Sequence, residues 1–180
     1  MANKRSVAPT FGLLLLLAST GCVARSSEHR ASVTDGRTAY VSDMPFDTTA
    51  NGWGPVERDQ SMGEQAAGDG TTLTLNGVAY SKGLGAHAYS EVHVALNGRY
   101  QTFSSDVGVD DSAGSKGSVD FKVYADDVLL FDSGTMTGDS DAQSVDVSVT
   151  GANQLTLIAT DAAGNHSRPA RLTFRIVTAG

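Results

Sequence analysis

The stretch KGLGAHAYSEVHVAL, residues 82–96, decides the fold through its second half. From Glu91 to Leu96 polar and apolar residues alternate, with Val92, Val94 and Leu96 on one side and Glu91 and His93 on the other. A period of two marks a strand with one buried face, because successive side chains point to opposite faces of a sheet. His93 then reads as a polar residue on an outer face. The first half is a turn: Gly83 and Gly85 let the backbone bend tightly or come close to another group just before His87. His87 precedes the strand, so it is the candidate site residue of the pair.

Working outward, the same alternation recurs in Val119, Phe121, Val123; Val145, Val147, Val149; Leu155, Leu157, Ala159; and Leu172, Phe174, Ile176. Each run carries Asp, Ser, Thr, Lys or Arg on its other face, as a half-buried antiparallel strand requires. No stretch from Arg37 onward shows a helical period, so the domain is all-β. Asn76-Gly77 and Asn97-Gly98 are hairpin-turn dipeptides, and they predict hairpins over Thr71 to Ser81 and Glu91 to Val109. Asp126-Asp127 predicts a third hairpin, and Thr150 to Asn153 a further turn. Several short strands joined by tight turns point to a two-sheet β-sandwich. Met44 to Gly70 is long, rich in Gly, Asp and Asn, and reads as a strand-poor binding loop.

The chain has 180 residues, which suits one domain behind an export leader, residues 1–21. Lys4 and Arg5 precede a short apolar run, Phe11 to Ala18, and LASTGC follows with Cys22, the single cysteine. The run is too short to span a bilayer and has the three-part layout of a signal peptide. STGC resembles a bacterial lipobox, with Ser19 in place of the usual leucine, so Cys22 is expected to carry a lipid that anchors the protein to a membrane of the cell envelope. Cleavage after Ala24 would instead discard Cys22. Residues 22–36 read as a flexible tether and residues 37–180 as the domain. A net charge of -7 and a pI near 4.9 leave no basic surface for a phosphate backbone, which argues against nucleic acid as a partner.

Three segments carry a family likeness: YVSDMPFDTTANGWGPVERDQS at 40–61, LTLNGVAYSKGLGAHAYSEV at 73–92, and FSSDVGVDDSAGSKGSVDFKVYADDVLLFDSG at 103–134. In the order NGWGP, KGLGAHA, VGVDD, DSG they closely resemble the NPCBM family of carbohydrate-binding modules, also classed as carbohydrate-binding module family fifty-one and often attached to glycoside hydrolases. The likeness covers roughly residues 37–160. It implies a galactose-binding-like jelly-roll β-sandwich that recognises glycans bearing galactose or N-acetylgalactosamine, sometimes with bound calcium. At 160–177 the chain has TDAAGNHSRPARLTFRIV, which keeps Asp161, Gly164 and Asn165 but lacks the tryptophan and the further acidic residues of the family's loop.

Sites for neutral sugars combine an aromatic ring under the apolar sugar face with polar groups that bond the hydroxyls. Trp53, the single tryptophan, lies between Gly52 and Gly54 and is either that platform or a plug at one end of the core. Glu57 and Asp59 are hydroxyl acceptors or turn caps, and Lys82 and His87 flank the glycine turn. Asp110 and Asp111, with Asp161 carried over from the likeness, form a candidate calcium set, or equally a soluble turn. No GxSxG elbow, HExxH helix or phosphate loop occurs, so an enzyme is not expected. The expectation is a non-catalytic glycan-binding lipoprotein; the rival is a structural or adhesion lipoprotein that keeps the fold without sugar.

Overall fold

The computed structural model describes residues 38–161. The leader, Cys22, the tether and the strand expected at Leu172 to Ile176 lie outside the described residues. Eleven strands follow in chain order among the described residues. They are β1 (Phe46–Asn51), β2 (Glu57–Arg58), β3 (Leu73–Leu75), β4 (Val78–Tyr80), β5 (Leu84–Gly85), β6 (Ser90–Ala95), β7 (Thr102–Val107), β8 (Ser118–Ala125), β9 (Val128–Thr137), β10 (Gln143–Ser148) and β11 (Gln154–Asp161). Helix is confined, among these residues, to two short 3-10 turns at Val41–Asp43 and Asp111–Lys116.

The main sheet has the order β1-β6-β11-β8-β9, with every neighbour antiparallel. β7 and β10 form a separate antiparallel pair. The expected inward residues bring these layers together: Val92, Val94, Val119, Phe121, Val123, Leu155, Leu157 and Ala159 share one buried cluster with Phe103, Val107, Val145 and Val149. A sandwich follows because each sheet has one apolar face, and packing the two together removes both from water. The alternating runs become β6, β8, β10 and β11, and the chain is the all-β sandwich that they predict.

Two local expectations change. Asn97 and Gly98 do take positive φ, 53° and 67°, but the turn does not close a hairpin. β6 pairs with β1 and β11, whereas β7 pairs with β10, so the chain crosses between layers there. Turn chemistry fixes local dihedrals and leaves the choice of partner to the core. The segment from Met44 to Gly70 is not one long loop, because β1 lies within it and forms an edge of the main sheet. FDTTAN shows no alternation because an edge strand with three exposed residues buries little.

The predicted hairpins at Asn76-Gly77 and Asp126-Asp127 are present as β3–β4 and β8–β9. β3–β4 has a small core of its own, Leu73, Leu75 and Tyr80. Asp110 and Asp111 bind it to the sandwich. Asp110 Oδ2 accepts from the Thr74 N–H at 2.8 Å, and the two Asp111 oxygens accept from the Asn76 and Gly77 N–H groups, each at 2.9 Å.

Candidate functional site

The last residue of β1, Asn51, pairs with the first of β6, Ser90, so the chain leaving β1 and the chain entering β6 meet at one end of the main sheet. These are the NGWG and KGLGAHA segments. Gly52 donates its N–H to the His87 carbonyl at 3.3 Å. A Cβ on Gly52 would come within 2.2 Å of the Ala88 oxygen and 2.8 Å of His87 Nδ1, so only glycine allows this crossing. Asn51 ties the crossing together. Its Oδ1 accepts from the His87 N–H at 2.9 Å, while its Nδ2 donates to the carbonyls of Trp53 at 2.9 Å and Gly54 at 2.7 Å. Asn51 is the residue that sequence reasoning missed; its only signal was its place before Gly52 in the resembling motif.

Trp53 is 39 % exposed, so it is a surface indole and not a core plug. His87, whose backbone is tied to the Trp53 segment through Asn51 and Gly52, is only 3 % exposed. Its Nδ1 donates to the Ala88 carbonyl at 2.6 Å, which leaves Nε2 as a bare acceptor, buried and without a partner. Burial lowers the His87 pKa, and the Ala88 carbonyl offsets this only in part, so the ring is held neutral. Tyr89 follows, 37 % exposed, its hydroxyl donating to Glu91 Oε2 at 2.6 Å. That bond to a carboxylate is the main reason its pKa is pushed up to about 12.

The remaining candidates support the loops around this crossing. Glu57 is 4 % exposed, and both its oxygens accept from the Gly68 N–H at 3.0 Å. Lys82 Nζ bridges Asp43 at 2.5 Å and Asp59 at 2.9 Å, and Asp59 also accepts from the Gly83 N–H at 3.1 Å. Burial works to raise the Asp59 carboxyl, but the Ser42 hydroxyl, the Lys82 ammonium and the Gly83 N–H together hold it below the usual range. The hydrogen bonds to Asp43 and then Asp59 raise Lys82. The structure thus joins the segments that carry Trp53 and His87 through their backbones, and engages Glu57, Asp59 and Lys82 in holding the neighbouring turns.

Asp110, Asp111 and Asp161 are the carboxylates of the calcium expectation. Asp110 and Asp111 spend their oxygens on the backbone of β3–β4, and Asp110 Oδ1 also accepts from the Ser112 N–H and hydroxyl. Asp161 stands at the end of β11, opposite Val119 of β8. Among the described residues no group of three or more His, Cys, Asp or Glu side chains is placed to hold a metal ion.

This architecture has known counterparts. CBM51 from Clostridium perfringens GH95, solved in complex with methyl-galactose, superposes with a TM-score of 0.67 at 33 % identity, covering 79 % of this chain and 99 % of that one. The CBM51-2 and INT domains of Clostridium perfringens ZmpB give a TM-score of 0.63 at 26 % identity, over 76 % of this chain and 31 % of the other. An endo-alpha-N-acetylgalactosaminidase-like protein of Renibacterium salmoninarum is 43 % identical over 122 residues, 67 % of this chain; the match spans 8 % of that relative's length. The structural neighbours are carbohydrate-binding modules, which bind without catalysing. The NPCBM/NEW2 domain model matches residues 37–171, and the chain belongs to that family.

Proposed function

We propose that this module holds a galactose- or N-acetylgalactosamine-bearing glycan against Trp53, and that export and a lipid on Cys22 display it at a bacterial membrane. The observation that supports this is the crossing of NGWG over KGLGAHA, which joins the segment of the exposed Trp53 to that of a buried His87 whose Nε2 lacks a hydrogen bond. The indole offers a flat apolar surface for the less polar sugar face, and a hydroxyl entering beneath it would donate to Nε2. A histidine kept neutral retains that acceptor at physiological pH. The choice of sugar is supported by methyl-galactose in the neighbour that this chain covers almost completely, and by the activity named for the Renibacterium salmoninarum relative.

A shallow site with few polar anchors should bind one sugar with a Kd of about 0.1 to 1 mM, or roughly -4 to -6 kcal/mol. A glycan array probed with the full chain tests the reading. Retention on galactose- and N-acetylgalactosamine-terminated glycans, lost in Trp53→Ala, is the expected result. Retention on no glycan would leave the structural or adhesion role.

A further inference from the structure

The outer face of the main sheet holds a second feature that the Trp53 site does not use. An open groove of about 250 Å³ runs over β6, β11 and the end of β8, lined by Glu91, His93, Tyr124, Asp127, Gln154 and Thr156. Strand register builds it: His93 stands opposite Thr156, which stands opposite Tyr124, so three strands contribute one row. Gln154 pairs with Ala95, at the far end of β6 from Asn51 and Trp53. Five residues of strand at about 3.3 Å each put that end some 16 Å from the start of β6.

The polar side chains are already fixed by one another. Gln154 Nε2 donates to His93 Nδ1 at 2.6 Å, so the proton sits on Nε2, which reaches Glu91 Oε1 at 2.9 Å. His93 Nδ1 is also 3.1 Å from the Thr156 hydroxyl. Glu91 accepts from Tyr89 as well, and this bond, followed by His93, keeps its carboxyl ionised below the usual range. At the other wall, Asp126 Oδ1 accepts from the Asn153 and Gln154 N–H groups, each at 3.0 Å, which pins the turn that carries Asp127. Side chains held in place before a ligand arrives lose little freedom on binding, which favours affinity.

We propose that this groove is a second sugar-binding site, taking one neutral hexopyranose unit. This rests on the reading of the chain as a glycan-binding module, but not on Trp53. The volume lies just below the range of about 300 to 1,000 Å³ typical of small-molecule pockets, and suits a single ring. Tyr124 and Ile158 supply an aromatic and an aliphatic surface. Glu91 and Asp127 offer carboxylate oxygens to vicinal hydroxyls, and the Gln154 amide and Thr156 hydroxyl can donate or accept. The same carboxylates repel an anionic sugar, and among the described residues no lysine or arginine lines the groove to offset them.

Backbone amide NMR of the full chain, titrated with galactose, N-acetylgalactosamine and galacturonate to about ten times a millimolar Kd, tests this. Neutral sugar should shift residues 91–93, 124–127 and 154–156 saturably, galacturonate should not, and Trp53→Ala should leave these shifts intact. Tyr124→Ala should abolish them while sparing residues 51–54; Asp127→Ala, on the exposed turn, should weaken them at least threefold with less disturbance of the strand. Shifts at residues 51–54 and 87–89 alone would overturn the second site and keep the first. Silence at both would overturn both readings, and an equal response to galacturonate would overturn the neutral-sugar assignment.

Discussion

The Asn51 side chain makes three hydrogen bonds, all to backbone, and through them fixes where Trp53 and His87 stand. The sequence offered Trp53 and His87 as candidates because an isolated indole between glycines and a histidine after a glycine turn are chemically legible. It could not show that His87 is buried, since that depends on Gly52 arriving from another strand. His93 is the converse case: alternation placed it on an outer face, and the register then gave it Gln154 and Thr156 as neighbours. The depressed His87 pKa has a consequence for folding. The unfolded chain takes up a proton near the free value of 6.5 while the folded ring resists, so protonation favours unfolding. This histidine's share of stability is therefore full above that pH and falls as pH drops toward the folded-state pKa. Urea unfolding at about pH 7.5 and 5.5 should show wild type losing more stability across that interval than His87→Gln. Equal losses would mean that His87 is not buried as a neutral ring.

At the level of strands, the alternating runs were legible because β6, β8 and β11 are half-buried central strands whose pattern is set by the core. β1 was not, because an exposed edge strand has no apolar face to display. The partners of β7 were hidden for a different reason: Asn97-Gly98 states that the chain turns, not which sheet it turns into. Asp110 and Asp111 had two readings, and the structure makes them clamps on β3–β4. A hydrogen bond to a charged group contributes about 1.5 to 3 kcal/mol, and partly exposed amides can fall back on water. Asp111→Ala should therefore cost about 1 to 2 kcal/mol in denaturant unfolding and speed hydrogen exchange at Asn76 and Gly77. An unchanged midpoint with unchanged exchange would show that the hairpin holds without the clamp.

For the molecule as a whole, family membership and the sandwich account for a rigid support, and the proposed sugar surface lies at one end of its main sheet. The proposed lipid would tie that support to a membrane, with residues 22–36 as the tether. Two acyl chains hold far more firmly than one, because each buried methylene adds about 0.8 kcal/mol. Metabolic labelling with an alkyne-bearing palmitate should mark the wild type and not Cys22→Ala; an unlabelled wild type beginning at Arg25 would rule out the anchor. Sugar recognition itself can be followed through the single tryptophan of the chain. Galactose or N-acetylgalactosamine should shift Trp53 emission saturably, with a Kd of about 0.1 to 1 mM, and His87→Ala should weaken that response by about 1 kcal/mol, roughly fivefold. Trp53 emission that stays unchanged to saturating concentrations of both sugars would contradict the account.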